Sequence, residues 1–310
     1  MRQNSHATAS LAGQCTPDKH VVIIDTDIGD DIDDALALAL AVRSPEITLY
    51  GVTTVFGDTR RRAYLAAHVL HVSGRVDVPV AAGIETPLQP RGHPSGVPQA
   101  AVIDDYEPLT LSTLSGPELI VQAARDHPGQ FTLICIGPLT NVAHALMLAP
   151  SLSSSIRNII MMGGTASVPL AEWNVRNDVQ AARMVLGAGI AVTMVGLNVT
   201  LRCHMRDEDI TQLRNAGTAQ TDLLSRLLAI WQRERPRWQP RQPFLHDPLA
   251  VMALCAPELL RFAQVPVRVL THGPLRGYML PRVMGGPRVH AAVDLHSSTA
   301  REWIMHRLLY

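Results

Sequence analysis

Residues 21–25 (VVIID) run directly into the stretch DTDIGDDIDDALALALAVR, and no other segment restricts the fold as much. Six aspartates, Asp25, Asp27, Asp30, Asp31, Asp33 and Asp34, fall within ten residues, with no basic residue among them. Carboxylates at that density repel one another unless a cation neutralises them. The β-branched run reads as a buried strand, and DALALALAVR as a helix that Ser44-Pro45 stops. The carboxyl end of a strand, followed by a helix start, is where open α/β sheets build their sites. All-oxygen ligation suits a hard cation, and tolerance for many ligands in a flexible geometry favours Ca²⁺ over Mg²⁺. A plain structural reading makes Asp33 a helix N-cap, Asp34 a first-turn acid, and Asp30 and Asp31 solvated loop residues. It leaves Asp25 and Asp27, at a strand end expected to be buried, unexplained.

The rest of the chain repeats the rhythm of strand and helix. A strand over 47–55 precedes a helix over 59–72, a strand over 131–136 (FTLICI) precedes a helix opening at Thr140, and strands over 157–162 and 190–195 extend the series. This alternation predicts an α/β fold: a single domain over 21–310, built on a mainly parallel twisted sheet with flanking helices, after a lead-in over 1–20. Two stretches rich in Pro, Gly, Arg and aromatics, 87–106 and 231–244, read as long irregular loops of the kind that form lids or binding loops. With 27 basic and 27 acidic residues the net charge is zero, which gives no footprint for sequence-independent nucleic-acid binding. The amino-terminal stretch has no apolar core of a secretory signal, and no segment reaches the ~18 uninterrupted apolar residues of a membrane span. A cytoplasmic protein with neither nucleic-acid nor membrane partner is the expectation. Cys15, Cys135, Cys203 and Cys255 form no zinc-type spacing.

Asp25-Thr26-Asp27-Ile28-Gly29, followed by Asp33-Asp34-Ala35-Leu36, is similar to the amino-terminal signature of the nucleoside hydrolases of the inosine-uridine preferring type. These are Ca²⁺-dependent enzymes that cleave the N-glycosidic bond of ribonucleosides. Further segments stand in the family's order: TTVFGD at 53–58, GPLTNVA at 137–143, MMGG at 161–164, Glu172-Trp173-Asn174 and His246-Asp247-Pro248. The resemblance implies the nucleoside hydrolase fold with a Rossmann-like core, a small ribonucleoside as partner, and a homo-oligomer, dimer or tetramer, acting in nucleoside salvage. It implies Ca²⁺ held by Asp27, Asp34, Asp247 and the main-chain carbonyl of Ile136, together with a water and the ribose 2′ and 3′ hydroxyls. It further implies Asp27 as the base that takes a proton from that water, and Asp33, Asp58, Met162, Glu172 and Asn174 as substrate contacts. His246 corresponds to the histidine proposed to protonate the departing base, a task that suits a near-neutral pKa. The scheme is chemically coherent, because a cation lowers the pKa of water and surrounding carboxylates stabilise an oxocarbenium-like sugar.

Each fragment also has a simpler reading. Asp247 before Pro248 fits a helix N-cap with proline at N1, Glu172 a surface acid, and Gly137-Pro138 a turn. Three departures from the family's pattern bear on the site. Two additional residues separate Gly29 from the Asp pair, so that Asp30 or Asp31 stands as an alternative ligand. Asp58, with Arg60, Arg61 and Arg62 following, occupies a position where the family commonly has Asn. Ala166 replaces an Asn before the segment leading to Glu172, which affects the 5′ side of the sugar. For the base, the loop segment Arg91-Gly92-His93 and the aromatics Trp173, Trp238 and Phe244 are candidates, the aromatics as stacking faces or equally as core or interface residues. Asp25-Thr26-Asp27-Ile28 also fits the start of a haloacid-dehalogenase-type Mg²⁺ phosphatase. Such enzymes normally need a downstream lysine, and the single lysine, Lys19, precedes the strand. A non-catalytic nucleoside- or Ca²⁺-binding protein on the same fold would need neither Asp27 as base nor His246 as acid.

Overall fold

The apolar runs become strands enclosed on both faces, as a parallel sheet requires when helices cover its two sides. The computed structural model describes residues 19–89, 96–103, 109–237 and 240–310; the lead-in through residue 18 lies outside them, and His20 already belongs to the first strand. The strands are β1 (His20–Thr26), β2 (Ile47–Thr54), β3 (Val80–Ala82), β4 (Phe131–Cys135), β5 (Ile156–Met162), β6 (Val192–Val195), β7 (Leu260–Val269), β8 (Met279–Pro281) and β9 (Arg288–Leu295). Their order is β3-β2-β1-β4-β5-β6-β9-β7-β8. The first six are mutually parallel and β9 is parallel to β6, while β7 runs antiparallel to both β8 and β9. The order of the first six strands is that of the Rossmann fold.

Alternation along the strands splits the core in two. Val22, Ile24, Ile134 and Ile160 pack on one face with the helices Asp33–Arg43, Thr59–Val72, Ala219–Glu234, His246–Cys255 and Ser297–Leu309; Ile23, Leu133, Ile159 and Met161 pack on the other with Gly116–Asp126, Thr140–Leu148 and Val179–Leu186. The helix Asp33–Arg43 is apolar all round because it is enclosed all round. Its first nine residues are buried, and it packs against four of the other helices on its face. Leu36, Leu38 and Leu40 are fully excluded from water, each worth about 1.5–3 kcal/mol of transfer free energy.

The chain goes outward from β1 through β2 to β3, then crosses to β4 on the other side of β1. The switch point therefore lies at the carboxyl ends of β1 and β4, and the acid-rich loop emerges there. Two expectations are adjusted. The stretch from Trp231 is helical through Glu234, with Trp231 buried, so irregular chain begins at Arg235. Within 87–106, residues Pro98–Ile103 form a 3₁₀ helix.

Candidate active site

Two helix starts bring the central carboxylates together. Asp33 and Asp34 open the helix Asp33–Arg43, and Asp247 is the second residue of His246–Cys255, which packs against it. One oxygen from each of Asp33, Asp34 and Asp247 lies within 4.8 Å of the others, and all three side chains are buried. Thr26 Oγ1 donates to Asp34 Oδ1 at 2.5 Å, and the Asp247 N–H reaches Asp33 Oδ2 at 3.4 Å. Burial, then repulsion from neighbouring aspartates, Asp27 among them, pushes all three carboxyls well above the ordinary carboxylate range. Asp33 is not an N-cap, a place taken by Ile32, and Asp247 turns inward instead of capping its helix.

Asp27 stands at the mouth of β1, buried, its carboxyl pushed up to about 7 by desolvation against the opposing pull of Arg62. Gly137 presses on it from the end of β4. A Cβ at that position would lie 2.9 Å from Asp27 Oδ1, so only glycine permits the approach. Asp25 points back into the core instead. Its Oδ1 accepts from Thr53 Oγ1 at 2.6 Å and Asn141 Nδ2 at 2.7 Å, and burial pushes it to about 7.

Arg62 belongs to the same neighbourhood, and sequence reasoning missed it. Its Nε donates to the Phe56 carbonyl at 2.7 Å, Nη1 to the carbonyls of Asp27 and Ile28, and Nη2 to Asp30 Oδ2 at 2.8 Å. The signal was available: Thr59, Arg62, Ala63 and Ala66 share the i, i+3, i+4, i+7 stripe that faces the core. Asp30 is thereby paired, and Asp31 accepts from the Ile32 N–H at 2.7 Å.

Across the switch point, Asn174 Nδ2 donates to the Ile136 carbonyl at 2.9 Å and to the Met162 carbonyl at 3.2 Å. Glu172 is no surface acid. It is buried and caps the helix Trp173–Asn177, Oε1 accepting from Asn174 N at 2.8 Å and Oε2 from Gly164 N at 3.0 Å and Val175 N at 3.1 Å. Ala166 takes its partner from another quarter, its N–H donating to Asn198 Oδ1 at 2.9 Å.

His246 is partly buried beside Asp247. Its Nδ1 lies 2.7 Å from Thr200 Oγ1, and the Phe244 ring stands 5.1 Å away between centroids. Burial lowers the imidazole to about 4, away from the near-neutral value that a proton donor suggests. Trp173 is 56% exposed between Glu172 and Asn174; Trp238 and Arg91-Gly92-His93 lie outside the described residues. Asp58 is exposed and caps the helix Thr59–Val72, accepting from the Arg61 N–H at 2.9 Å.

A family model described as "Inosine-uridine preferring nucleoside hydrolase" matches residues 22–302. The chain belongs to this family. It is similar to uridine nucleosidase 1 of Arabidopsis thaliana, 32% identical over 84% of this chain and 81% of that protein. It is likewise similar to the pyrimidine-specific ribonucleoside hydrolase RihA of Photobacterium profundum, at 34% over 81% of this chain and 85% of the relative. A solved plant nucleoside hydrolase superposes with a TM-score of 0.85 at 26% identity, covering 94% of this chain and 99% of that one. A purine-preferring ribonucleoside hydrolase from Gardnerella vaginalis gives 0.83 at 26%, covering 93% and 98%.

The protein is a nucleoside hydrolase that cleaves the N-glycosidic bond of ribonucleosides. The phosphatase reading also fails on geometry, because the first aspartate of the DTD run, which would be the nucleophile, is the core-facing Asp25. The binding-protein reading gives way to the family's hydrolytic activity.

Proposed function

We propose that this hydrolase acts with Ca²⁺ held by Asp27, Asp34, Asp247 and the Ile136 carbonyl, with Asp33 beside them. The observation that carries the reading is the convergence of Asp33, Asp34 and Asp247 from two helix starts into one buried cluster. Buried carboxylates this close are unfavourable when charged unless a cation offsets them, and an all-oxygen donor set suits a hard divalent ion. When bound, Ca²⁺ supplies the positive charge that lowers the pKa of a neighbouring water.

Asp27 accepts the proton of the attacking water at its carboxylate, and a bound cation would keep that buried carboxyl in the charged form that a base requires. Asp33, Met162, Glu172 and Asn174 meet the ribose. Glu172 holds the Asn174 N–H, so these two groups act as one unit, and their negative charge and amide oxygen stabilise the cationic sugar. His246 presents its ring to the departing base, with Phe244 beside it and Trp173 exposed at the rim as stacking faces. Asp58, which the family resemblance also places among the substrate contacts, is exposed and caps its helix in this structure.

Uridine is the substrate proposed first, since relatives at 32–34% identity are named for uridine or pyrimidine nucleosides. The proposal extends to a cytoplasmic homo-oligomer in nucleoside salvage; among the described residues no helix is long and apolar enough to cross a membrane. Reducing-sugar release from a panel of ribonucleosides, with Ca²⁺ and after chelation, tests the reading. Release that persists undiminished after chelation would refute the metal assignment.

A further inference from the structure

Among the described residues the ring of His246 has a single hydrogen-bond partner, and it is a neutral one. Thr200 Oγ1 lies 2.7 Å from Nδ1, and Thr200 itself is fully buried at the end of the short helix Leu197–Thr200. Among the described residues this hydroxyl has no other hydrogen-bond partner. If Oγ1 accepted a hydrogen from Nδ1–H, its own hydrogen would be buried without an acceptor, an arrangement that folded proteins avoid. The hydroxyl therefore donates to Nδ1, and a neutral imidazole with Nδ1 as acceptor carries its hydrogen on Nε2.

The surroundings keep this relation fixed. Leu245 N donates to the Cys203 carbonyl at 3.0 Å and Met205 N to the Pro243 carbonyl at 2.9 Å, which ties the segment after Thr200 to the one before His246. A β-branched threonine adds a stiff χ1. A hydroxyl also differs from the carboxylate that orients histidine in hydrolytic triads, because it brings no negative charge to stabilise an imidazolium.

We propose that Thr200 is a positioning residue that donates to Nδ1 and so fixes the His246 ring in its Nε2–H form, leaving Nε2 as a hydrogen-bond donor to the nucleobase as it departs. This rests on the reading that His246 meets the departing base.

The test compares Thr200→Val, Thr200→Ser and His246→Ala with the native Ca²⁺-loaded enzyme. Turnover is measured on uridine and on 4-nitrophenyl riboside, whose leaving group needs no donor. The tautomer is read by ¹⁵N NMR of histidine-labelled protein, with His246→Ala identifying the signal. The native ring is expected as Nε2–H. Thr200→Val is expected to lower kcat on uridine about tenfold or more, with little change in KM and no loss on 4-nitrophenyl riboside. Thr200→Ser is expected to restore both the tautomer and kcat. A native Nδ1–H form, or an equal loss on both substrates in Thr200→Val, would overturn the proposal. Equal losses in His246→Ala would instead refute the reading of His246, and the tautomer would still decide the role of Thr200.

Discussion

Arg62 Nη2 lies 2.8 Å from Asp30 Oδ2, and this pair divides the acidic run into parts with different partners. Asp30 is balanced by a cation from the next helix, Asp25 by the hydroxyl of Thr53 and the amide of Asn141, and Asp33 and Asp34 form the buried cluster with Asp247. Within the longer segment between Gly29 and the Asp pair, Asp30 is thus held by Arg62, which also gathers the carbonyls of Asp27 and Ile28, while Asp31 accepts from the Ile32 N–H. The net charge of zero hides a local surplus of carboxylates at one strand end.

Replacing Arg62 by Met would leave the Asp30 carboxylate and three main-chain oxygens without their donor. Breaking a buried pair by removing one partner costs about 3–5 kcal/mol, and the value here should fall at the lower end because the Asp30 side chain keeps 30% of its exposure. Urea unfolding of Arg62→Met should show that loss, with partial recovery in Arg62→Lys. A change below about 1 kcal/mol would mean that the clamp contributes little.

Stability of the metal-free protein should fall as pH rises. Asp25 and Asp27 move from 3.8 in the unfolded chain to about 7 in the folded one, so the native state binds more protons across that window. Its stability is then fully present below 3.8 and lost as pH climbs through about 7. Thermal melts in chelator across this range should show a declining midpoint, and Ca²⁺ should raise the midpoint most at the upper end. A chelated midpoint that stays level or climbs would contradict the assignment of a repulsive, cation-seeking cluster.

Most of the parallel half of the sheet was legible because strands buried on both faces are near-continuous apolar runs: β1, β2, β4, β5 and β6 lie within one or two residues of the strands expected over 21–25, 47–55, 131–136, 157–162 and 190–195, whereas the three-residue β3 (VAA) is too short to carry such a run. The antiparallel edge was not, since β7 (LRFAQVPVRV) and β9 (RVHAAVDL) mix exposed Arg, Gln and His with buried Val and carry no such run. At the site, the acidic motif disclosed which residues are unusual, and only the three-dimensional arrangement disclosed their partners. Arg62 sat within an arginine triplet whose other members are exposed, and Thr200 is a threonine with no local pattern that singles it out.

Asp247→Asn should act with opposite signs in the two states. Without metal it removes one of three crowded charges and should raise the melting midpoint; with Ca²⁺ it should weaken binding and forfeit most of the stabilisation that the ion gives. Melts in chelator and in Ca²⁺, with calorimetric titration, read both. Native-like Ca²⁺ affinity would remove Asp247 from the ligand set.

Asp27→Asn keeps shape and burial but cannot take a proton, so it should leave the fold intact and lower kcat about 10²–10⁴-fold. Circular dichroism and single-turnover assays separate the two effects. Turnover within a factor of about three of the native enzyme would exclude Asp27 as the base.

Asp58 separates a capping role from a sugar-binding one. The exposed carboxylate accepts the Arg61 N–H, and loss of such a cap costs about 1 kcal/mol, which for a chain of this length lowers the melting midpoint by about 2–4 °C. Asp58→Ala should show that change with KM for uridine little altered, whereas Asp58→Asn, which retains a capping oxygen, should melt close to the native protein. A severalfold rise in KM for Asp58→Ala, with the melting midpoint unmoved, would return Asp58 to the ribose-contacting set and require the loop at 56–58 to turn its side chain inward when substrate binds.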